Sequence, residues 1–179
     1  LKGAKPAQSF EIQAEDQLDV EGVAVISSAS ADEDAQESEQ LKGGVFTQHL
    51  IAGLIGAADQ SADQRISLSE LYQYTYRETL KSTSKTRHVQ HPSYSFQMRG
   101  RDDLVLTRLN DLRGFAQVSL QTNGGYLLIP ERGSGPMIEA SPDQKTTLLV
   151  EPGGYQVYFR SKRSLFEGKI HLKSGRTYP

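Results

Sequence analysis

Short apolar runs, separated by polar and glycine-containing stretches, recur along the chain and predict its secondary structure. Gly22 to Ser27 is a continuous run of this kind, typical of a strand covered on both faces in a parallel α/β sheet. Leu104 to Leu106 is a second, shorter strand candidate. Residues 1 to 21 are polar and show neither a helical nor a strand period, so we expect an exposed arm there.

Two helices are predicted between these strands. The first follows Gly43 and Gly44 and runs for roughly four turns, with one stripe formed by Val45, His49, Leu50, Leu54 and Ala57. The second begins at the capping-box pattern from Ser67 to Glu70. One face of this helix contains Leu68, Leu71, Tyr72, Thr75 and Thr79. Residues 81 to 101 contain many basic residues, and we interpret them as an irregular segment.

The pattern changes near Asn110. From there, short runs are separated by turn residues: Ala116 to Leu120, Tyr126 to Ile129, Thr146 to Val150, Tyr155 to Phe159 and Lys169 to Leu172. Several of them alternate apolar with polar positions, which is typical of a small antiparallel sandwich. We therefore expect a polar arm over residues 1–21, a strand-and-helix region over 22–109 and a β-sandwich-like module over 110–179.

Composition and charge narrow the possible partners. The chain has 179 residues, 36% of them hydrophobic and 23% charged, and its net charge is −2. There is no broad basic field and no apolar run long enough to span a bilayer, so we expect neither nucleic acid nor a membrane as a partner.

The chain contains no cysteine, which excludes a disulfide, a thiolate metal site and a cysteine nucleophile within it. A cysteine-free protein suits either redox compartment. No signal-peptide pattern follows Leu1. We expect a cytoplasmic location ahead of a periplasmic or secreted one.

Four segments, taken in order, resemble the end of the peptidase domain of bacterial caspase-like cysteine peptidases (clan CD, related to metacaspases and orthocaspases). They are GVAVISSASADEDAQE from Gly22, GGVFTQHLIAGLIGAAD from Gly43, RISLSELYQYTYRET from Arg65 and QHPSYSFQMRGRDDLVLTRL from Gln90. The resemblance implies an α/β caspase-like fold, in which this region is the small-subunit part of a three-layer α/β/α sheet. A small all-β sandwich domain would follow it.

The resemblance also implies a cysteine endopeptidase whose Cys and His lie on another fragment of the same precursor. This chain would complete the substrate pocket for proteins or peptides, and no catalytic residue would lie within it. Two alternatives stay open: a non-catalytic pseudo-peptidase that serves as an interaction scaffold, and a calcium-sensing binding module.

The loop after the first strand is where the resemblance places a wall of the substrate pocket. In caspases a Ser-Trp-Arg triplet lies here, and it aligns with Asp34, Ala35 and Gln36. A neutral Gln replaces the Arg that binds a substrate Asp, and Glu37 follows it, which favours Arg or Lys at the cleaved position. The candidate substrate-binding residues are Ser27, Ser28, Asp32, Asp34, Gln36 and Glu37. The alternative is a solvated acidic loop.

Leu1 is a candidate processing site, because peptidases of this family are often cut between the Cys-bearing part and the small-subunit part. The polar arm that follows would then be a released activation linker. The alternative is that Leu1 marks an arbitrary boundary of the chain.

The segment from Asp59 to Glu70 has the register of a twelve-residue calcium loop. Oxygen ligands would come from Asp59, Ser61, Asp63, the Arg65 carbonyl and Glu70, which makes calcium the one candidate cofactor. Gln64 stands where such loops need glycine, and only three carboxylates are present. The alternative is a helix–turn–helix connection in which Ser67 and Glu70 simply cap the second helix.

Overall fold

The computed structural model describes residues 21–30, 35–38, 43–84, 89–100, 103–111, 113–121, 124–131, 136–142 and 144–179. This part of the chain is mostly β, with two helices and several small sheets. None of its helices is both long enough and apolar enough to cross a membrane. The elements up to residue 109 are β1 (Glu21–Ser27), β2 (Glu37–Ser38), β3 (Gly43–Gly44), α1 (Val45–Ala52), β4 (Arg65–Ser67), α2 (Leu68–Thr83), β5 (Ser93–Arg99) and β6 (Val105–Arg108). After it come β7 (Ala116–Leu120), β8 (Gly125–Pro130), β9 (Ile138–Ala140), β10 (Thr146–Val150), β11 (Gly153–Arg160), β12 (Leu165–Leu172) and β13 (Thr177–Tyr178).

The two predicted helices are present where the pattern indicated. Helix α1 continues through a π-helical turn, Gly53–Ala57, before the chain reverses. Helix α2 begins at a complete capping box: the Ser67 hydroxyl accepts from the Glu70 N–H, and the Glu70 carboxylate accepts from the Ser67 N–H. Each bond satisfies a backbone or side-chain group that the first helical turn leaves without a partner. Leu68, Leu71, Thr75 and Thr79 are buried on α2, as predicted.

The first strand forms, but its surroundings differ from the prediction. Strand β1 pairs antiparallel with β5, from Glu21 opposite Arg99 to Ser27 opposite Ser93, and the two make a two-stranded sheet. The expectation that β1 is covered on both faces is wrong for the described chain, because Val23 and Val25 are 62% and 51% exposed. No three-layer sheet is present among the described residues.

The expectation of an irregular segment over residues 81–101 is wrong for two parts of it, because α2 extends to Thr83 and β5 covers Ser93–Arg99. The sequence does carry a period of two there: Tyr94, Phe96 and Met98 alternate with polar residues. Tyr94 and Phe96 pack on Tyr72 of α2, with ring centroids 4.2 and 6.2 Å from that ring. The pattern was masked by the basic residues on either side of the strand.

The C-terminal part is built from two sheets that share one core. One sheet has the order β10-β7-β13 and the other has the order β12-β11-β8-β9. Alternate residues of both sheets point inward and form a cluster of buried side chains: Ala116, Val118, Leu120, Leu128, Ile138, Ala140, Leu148, Val150, Tyr155 and Leu172. All five runs predicted after Asn110 are strands; β9 and β13 were not predicted.

Apolar packing continues across residue 110. Leu149 of β10 is 6% exposed and belongs to the same buried cluster as Ala52 and Leu71 of the two helices. In return, Ile55 and Ala57 of the π-helical turn pack against the core of the sandwich. The helices and the sandwich therefore support each other through burial of apolar surface.

Candidate functional site

One buried glutamine organises the loop that follows β1. Gln90 is fully buried, its Nε2 donates to the Ser28 carbonyl at 2.6 Å, and its Oε1 accepts from the Gln36 N–H at 2.9 Å. A single side-chain amide thus joins the beginning of the loop to its end. Ser30 adds a second link, since its hydroxyl donates to the His91 carbonyl at 3.1 Å.

The position of Gln90 is itself fixed by the end of α2. Its backbone N–H donates to the Thr83 hydroxyl at 3.0 Å, and this hydroxyl donates to the Thr79 carbonyl at 2.8 Å. On the other side, the Val45 N–H at the start of α1 donates to the Gln36 carbonyl at 3.0 Å. Both helices therefore position the loop at the carboxyl end of β1.

The predicted pocket residues are only partly within the described chain. Ser27 is the exposed last residue of β1, whereas Ser28 and Gln36 are half-buried and are held by Gln90 through their backbones. Asp32, Asp34, the side chain of Glu37 and the proposed processing site Leu1 lie outside the described residues. The structure thus brings Ser28 and Gln36 together and does not test the acidic members of the set.

Strand β1 is open on one face and along one edge. Within the described chain its only strand partner is β5. Tyr94 and Phe96 lie opposite Ile26 and Ala24, so they occupy the face towards α2. Val23 and Val25 lie on the other face and are exposed. Such an edge, flanked by exposed β-branched side chains, is suited to pairing with a further strand.

The candidate calcium loop folds as a compact turn between α1 and α2. Glu70 uses both carboxylate oxygens, since Oε1 accepts from the Ser61 N–H and Oε2 from Ser67, each at 3.1 Å. Asp63 Oδ1 accepts from the Arg65 N–H at 2.9 Å. Asp59 Oδ2 accepts from the Gln64 N–H at 3.2 Å. Backbone and hydroxyl donors therefore engage all three carboxylates.

Gln64 adopts a positive φ of 64° at the position where calcium loops carry glycine. The chain thus makes the turn without glycine, at some cost in backbone strain. Burial raises the pKa of Asp59; the Gln64 N–H opposes this rise, and the charges of Asp63 and Glu70 add to it.

Among the described residues, which include all five proposed ligands, no group of three or more His, Cys, Asp or Glu side chains is placed to hold a metal ion. Arg65 lies in β4, opposite Arg108 of β6. The capped turn gives each of the carboxylates of Asp59, Asp63 and Glu70 a donor, but Asp59 Oδ1 is buried without a hydrogen-bond partner among the described residues, so calcium binding by this loop stays a prediction.

A small polar cavity is lined by residues of both the helices and the sandwich. It has a volume of about 130 Å³ and is lined by His49, Tyr74, Glu78, Lys81, Ser82, Glu139 and Ser141. His49 Nε2 lies 2.8 Å from the Ser82 hydroxyl, so the imidazole links α1 to α2. Burial lowers the pKa of His49, while Glu78 raises it and Lys81 lowers it. These contacts agree with a structural histidine.

Sequence reasoning missed the role of Gln90. The Gln-x-Pro segment was recognised as a resemblance, but no position in the sequence shows that this amide reaches back across residues 28 to 36. A lone glutamine between two histidines gives no periodic signal of burial. Pro92, which is also buried, was the one local indication of an ordered segment.

Comparison with family models, with curated proteins and with solved structures gives no match for this chain. Its function is therefore inferred from its residues and their geometry.

Proposed function

We propose that residues 22–109 are the small-subunit-like part of an α/β caspase-like cysteine endopeptidase. An upstream fragment of the same precursor supplies the Cys and the His, and this chain completes the substrate pocket. The cleaved bond follows Arg or Lys. No residue of this chain is catalytic.

The open strand β1 is the observation that carries this proposal. Its apolar residues Val23 and Val25 are suited to the interior of a sheet, yet they are exposed in this chain. About half of each side chain is still in water, so covering the rest would recover roughly half of the about 1.5–3 kcal/mol that complete burial contributes. A further strand beside β1, with helices covering the open face, would recover that free energy and extend the sheet.

The second support is the loop at the carboxyl end of β1. In open α/β sheets, binding crevices form outside the carboxyl ends of the strands. Gln90 binds both ends of this loop, through the Ser28 carbonyl and the Gln36 N–H. The preference for Arg or Lys follows from the sequence of the loop, where Gln36 replaces the caspase arginine next to Asp34 and Glu37.

In the complete enzyme, a thiolate would attack the carbonyl of the scissile bond, and an imidazole would pass a proton to the leaving amine. Donors at the ends of the strands would stabilise the oxyanion. The contribution of this chain is to bind and orient the side chain that precedes the scissile bond.

The test is to express the full-length gene and to assay fluorogenic peptides that end in Arg, Lys or Asp. We expect cleavage after Arg and Lys, loss of cleavage after alkylation with iodoacetamide, and no activity from the 179-residue chain alone. Cleavage after Asp alone, activity that survives alkylation, or activity of the isolated chain would contradict the proposal.

The open strand can be tested in the same assay. Val25→Asp places a charge where the next strand should pack, so we expect at least a tenfold loss of kcat/KM. Val25→Thr keeps the shape and the strand propensity and should retain most of the activity. Equal activity of the two variants would show that β1 is not covered in the enzyme.

The alternative function is a non-catalytic scaffold, and the absence of cysteine from the chain is compatible with both functions. The sequence upstream of Leu1 discriminates between the two. A His and an Asp-x-Cys element there support the enzyme, and their absence supports the scaffold.

A further inference from the structure

Strand β12 is the outer strand of the four-stranded sheet. It pairs with β11 along all eight residues, and within the described chain no strand lies on its other side. The Tyr178 hydroxyl occupies the C-terminal end of this open edge, since it accepts from the Lys173 N–H at 2.9 Å and donates to the His171 carbonyl at 3.4 Å. The segment Leu165–Ile170 remains accessible for pairing.

This accessible segment is apolar at its start. Leu165 and Phe166 are 62% and 59% exposed, and the Phe166 ring stacks on Phe159 with centroids 6.0 Å apart. A hollow of about 290 Å³ lies against the same strands, lined by Val157, Phe159, Phe166, Glu167, Gly168, Lys169 and Ile170. A long edge strand with exposed large apolar residues is suited to pairing with another strand.

The charges on β12 are arranged symmetrically about Gly168. Glu167 precedes this glycine and Lys169 follows it, and both side chains point to the same side of the sheet. If a second β12 runs antiparallel and is centred on Gly168, each Glu167 lies opposite the Lys169 of the other copy. Phe166 of each copy then lies opposite Ile170 of the other. Opposite charges in register stabilise an antiparallel pair, and like charges destabilise it.

We propose that β12 is a self-association edge, through which two copies of this chain pair antiparallel about Gly168. The pairing joins the two four-stranded sheets into one continuous sheet. The interface is isologous, as expected for a twofold dimer.

Gly168 leaves space for an apolar contact between the two paired strands. A side chain at this position would meet nothing within 4 Å, so the glycine leaves open space beside the hollow. In the proposed register, Phe166 of one copy lies diagonally across from Gly168 of the other, within reach of a large ring. The ring covers the glycine and fills the hollow, as aromatic residues do for glycines at sheet edges.

A second copy fits this edge because the charge pattern complements itself. The present partners of the two charges are surface contacts: Lys169 Nζ lies 3.1 Å from Glu131, and Gln156 donates to Glu167 at 2.6 Å. Such exposed pairs contribute little free energy and can exchange partners. An unrelated strand would need its own matching Lys and Glu in the same register.

Charge reversal tests the proposed register in the 179-residue chain by sedimentation velocity, from micromolar to near-millimolar concentration. We expect the parent chain to approach twice its 19.8 kDa mass. Glu167→Lys alone and Lys169→Glu alone each place like charges in register, so each should weaken self-association about tenfold or more. An equimolar mixture of these two variants should recover the dimer, because every pair is then of opposite sign.

Phe166→Ser, which removes an exposed ring, should also yield a monomer that keeps the circular dichroism of the parent chain. A parent chain that stays monomeric throughout would overturn the proposal. It would also be overturned if both single variants dimerised as well as the parent, or if their mixture stayed monomeric.

Discussion

At the scale of single residues, the side chain of Gln90 links two backbone groups that are distant from it in the sequence. It is fully buried, and its amide satisfies one backbone acceptor and one backbone donor of the loop after β1. A buried backbone group that loses its partner costs about 1–3 kcal/mol. The positions of the Ser28 carbonyl and the Gln36 N–H therefore depend on the two bonds of this amide.

Gln90→Ala should lower the free energy of unfolding by about 2–4 kcal/mol, because the Ser28 carbonyl and the Gln36 N–H lose their bonds to the amide and a cavity remains. Urea denaturation measures this change, and hydrogen exchange should show loss of protection at the Gln36 amide. Gln90→Glu keeps the acceptor for Gln36 but places an oxygen against the Ser28 carbonyl, so it should destabilise as well.

Gln97→Ala is the matched control, since Gln97 is an exposed glutamine on neighbouring β5. It should change the unfolding free energy by less than about 0.5 kcal/mol. If Gln90→Ala left the exchange of the Gln36 amide unchanged, Gln90 would not be what holds this end of the loop.

At the scale of elements, the contact between α1 and α2 includes a histidine, His49, whose protonation depends on pH. His49 is 4% exposed and lies beside Ser82, with Glu78 and Lys81 of α2 and Glu139 of β9 around the same cavity. Burial is the largest cause of its lowered pKa, so the folded state favours the neutral imidazole.

The sign of the pH effect follows from this lowered pKa. Above the ordinary value of 6.5 the ring is neutral whether the chain is folded or unfolded, and its contribution to stability is fully present. As the pH falls below that value, the unfolded chain takes up the proton first. We therefore expect the free energy of unfolding to decrease between about pH 7 and pH 5.

His49→Gln keeps a polar group within reach of Ser82 and cannot be protonated, so it should flatten this decrease. The exposed His171→Gln should leave the slope as it is in the parent chain. Urea denaturation at a series of pH values measures both variants. An unchanged slope in His49→Gln would assign the effect to another group.

At the scale of the whole molecule, the contact between the π-helical turn and β10 joins the helices to the sandwich. Gly56 has a positive φ of 134°, and a Cβ at this position would collide with the Thr147 carbonyl of β10. Only glycine combines that backbone conformation with so close an approach. Leu149, on the same strand, is buried among the helices.

Gly56→Ala should destabilise the whole chain by about 3 kcal/mol or more, because backbone strain and the collision with β10 add together. Gly114→Ala separates these two causes. Gly114 also has a positive φ, of 81°, but nothing lies within 4 Å of an added Cβ. Gly114→Ala should lower the free energy of unfolding by about 1–2 kcal/mol, from the backbone conformation alone. Thermal and urea unfolding measure the difference, and equal losses would argue against the contact between Gly56 and β10.

The sequence by itself determined the elements whose signal is local. The capping box from Ser67 to Glu70 set the start of α2, because its hydrogen bonds join residues three apart. Strands β7 and β10 were predicted with their observed bounds. Alternating apolar positions suffice for β7, whereas β10 is a short, largely apolar run between turn residues. Strand β5 carried the same signal but was obscured by the basic residues around it.

Only the tertiary structure decided which surfaces meet. It paired β1 with β5, left Val25 exposed and placed the Gln90 amide between the two ends of a loop more than fifty residues away in sequence. It also showed which neighbouring donors the carboxylates from Asp59 to Glu70 engage. The physical reason is that a local pattern fixes the period of buried positions, whereas the partner of a buried polar group depends on contacts between distant segments.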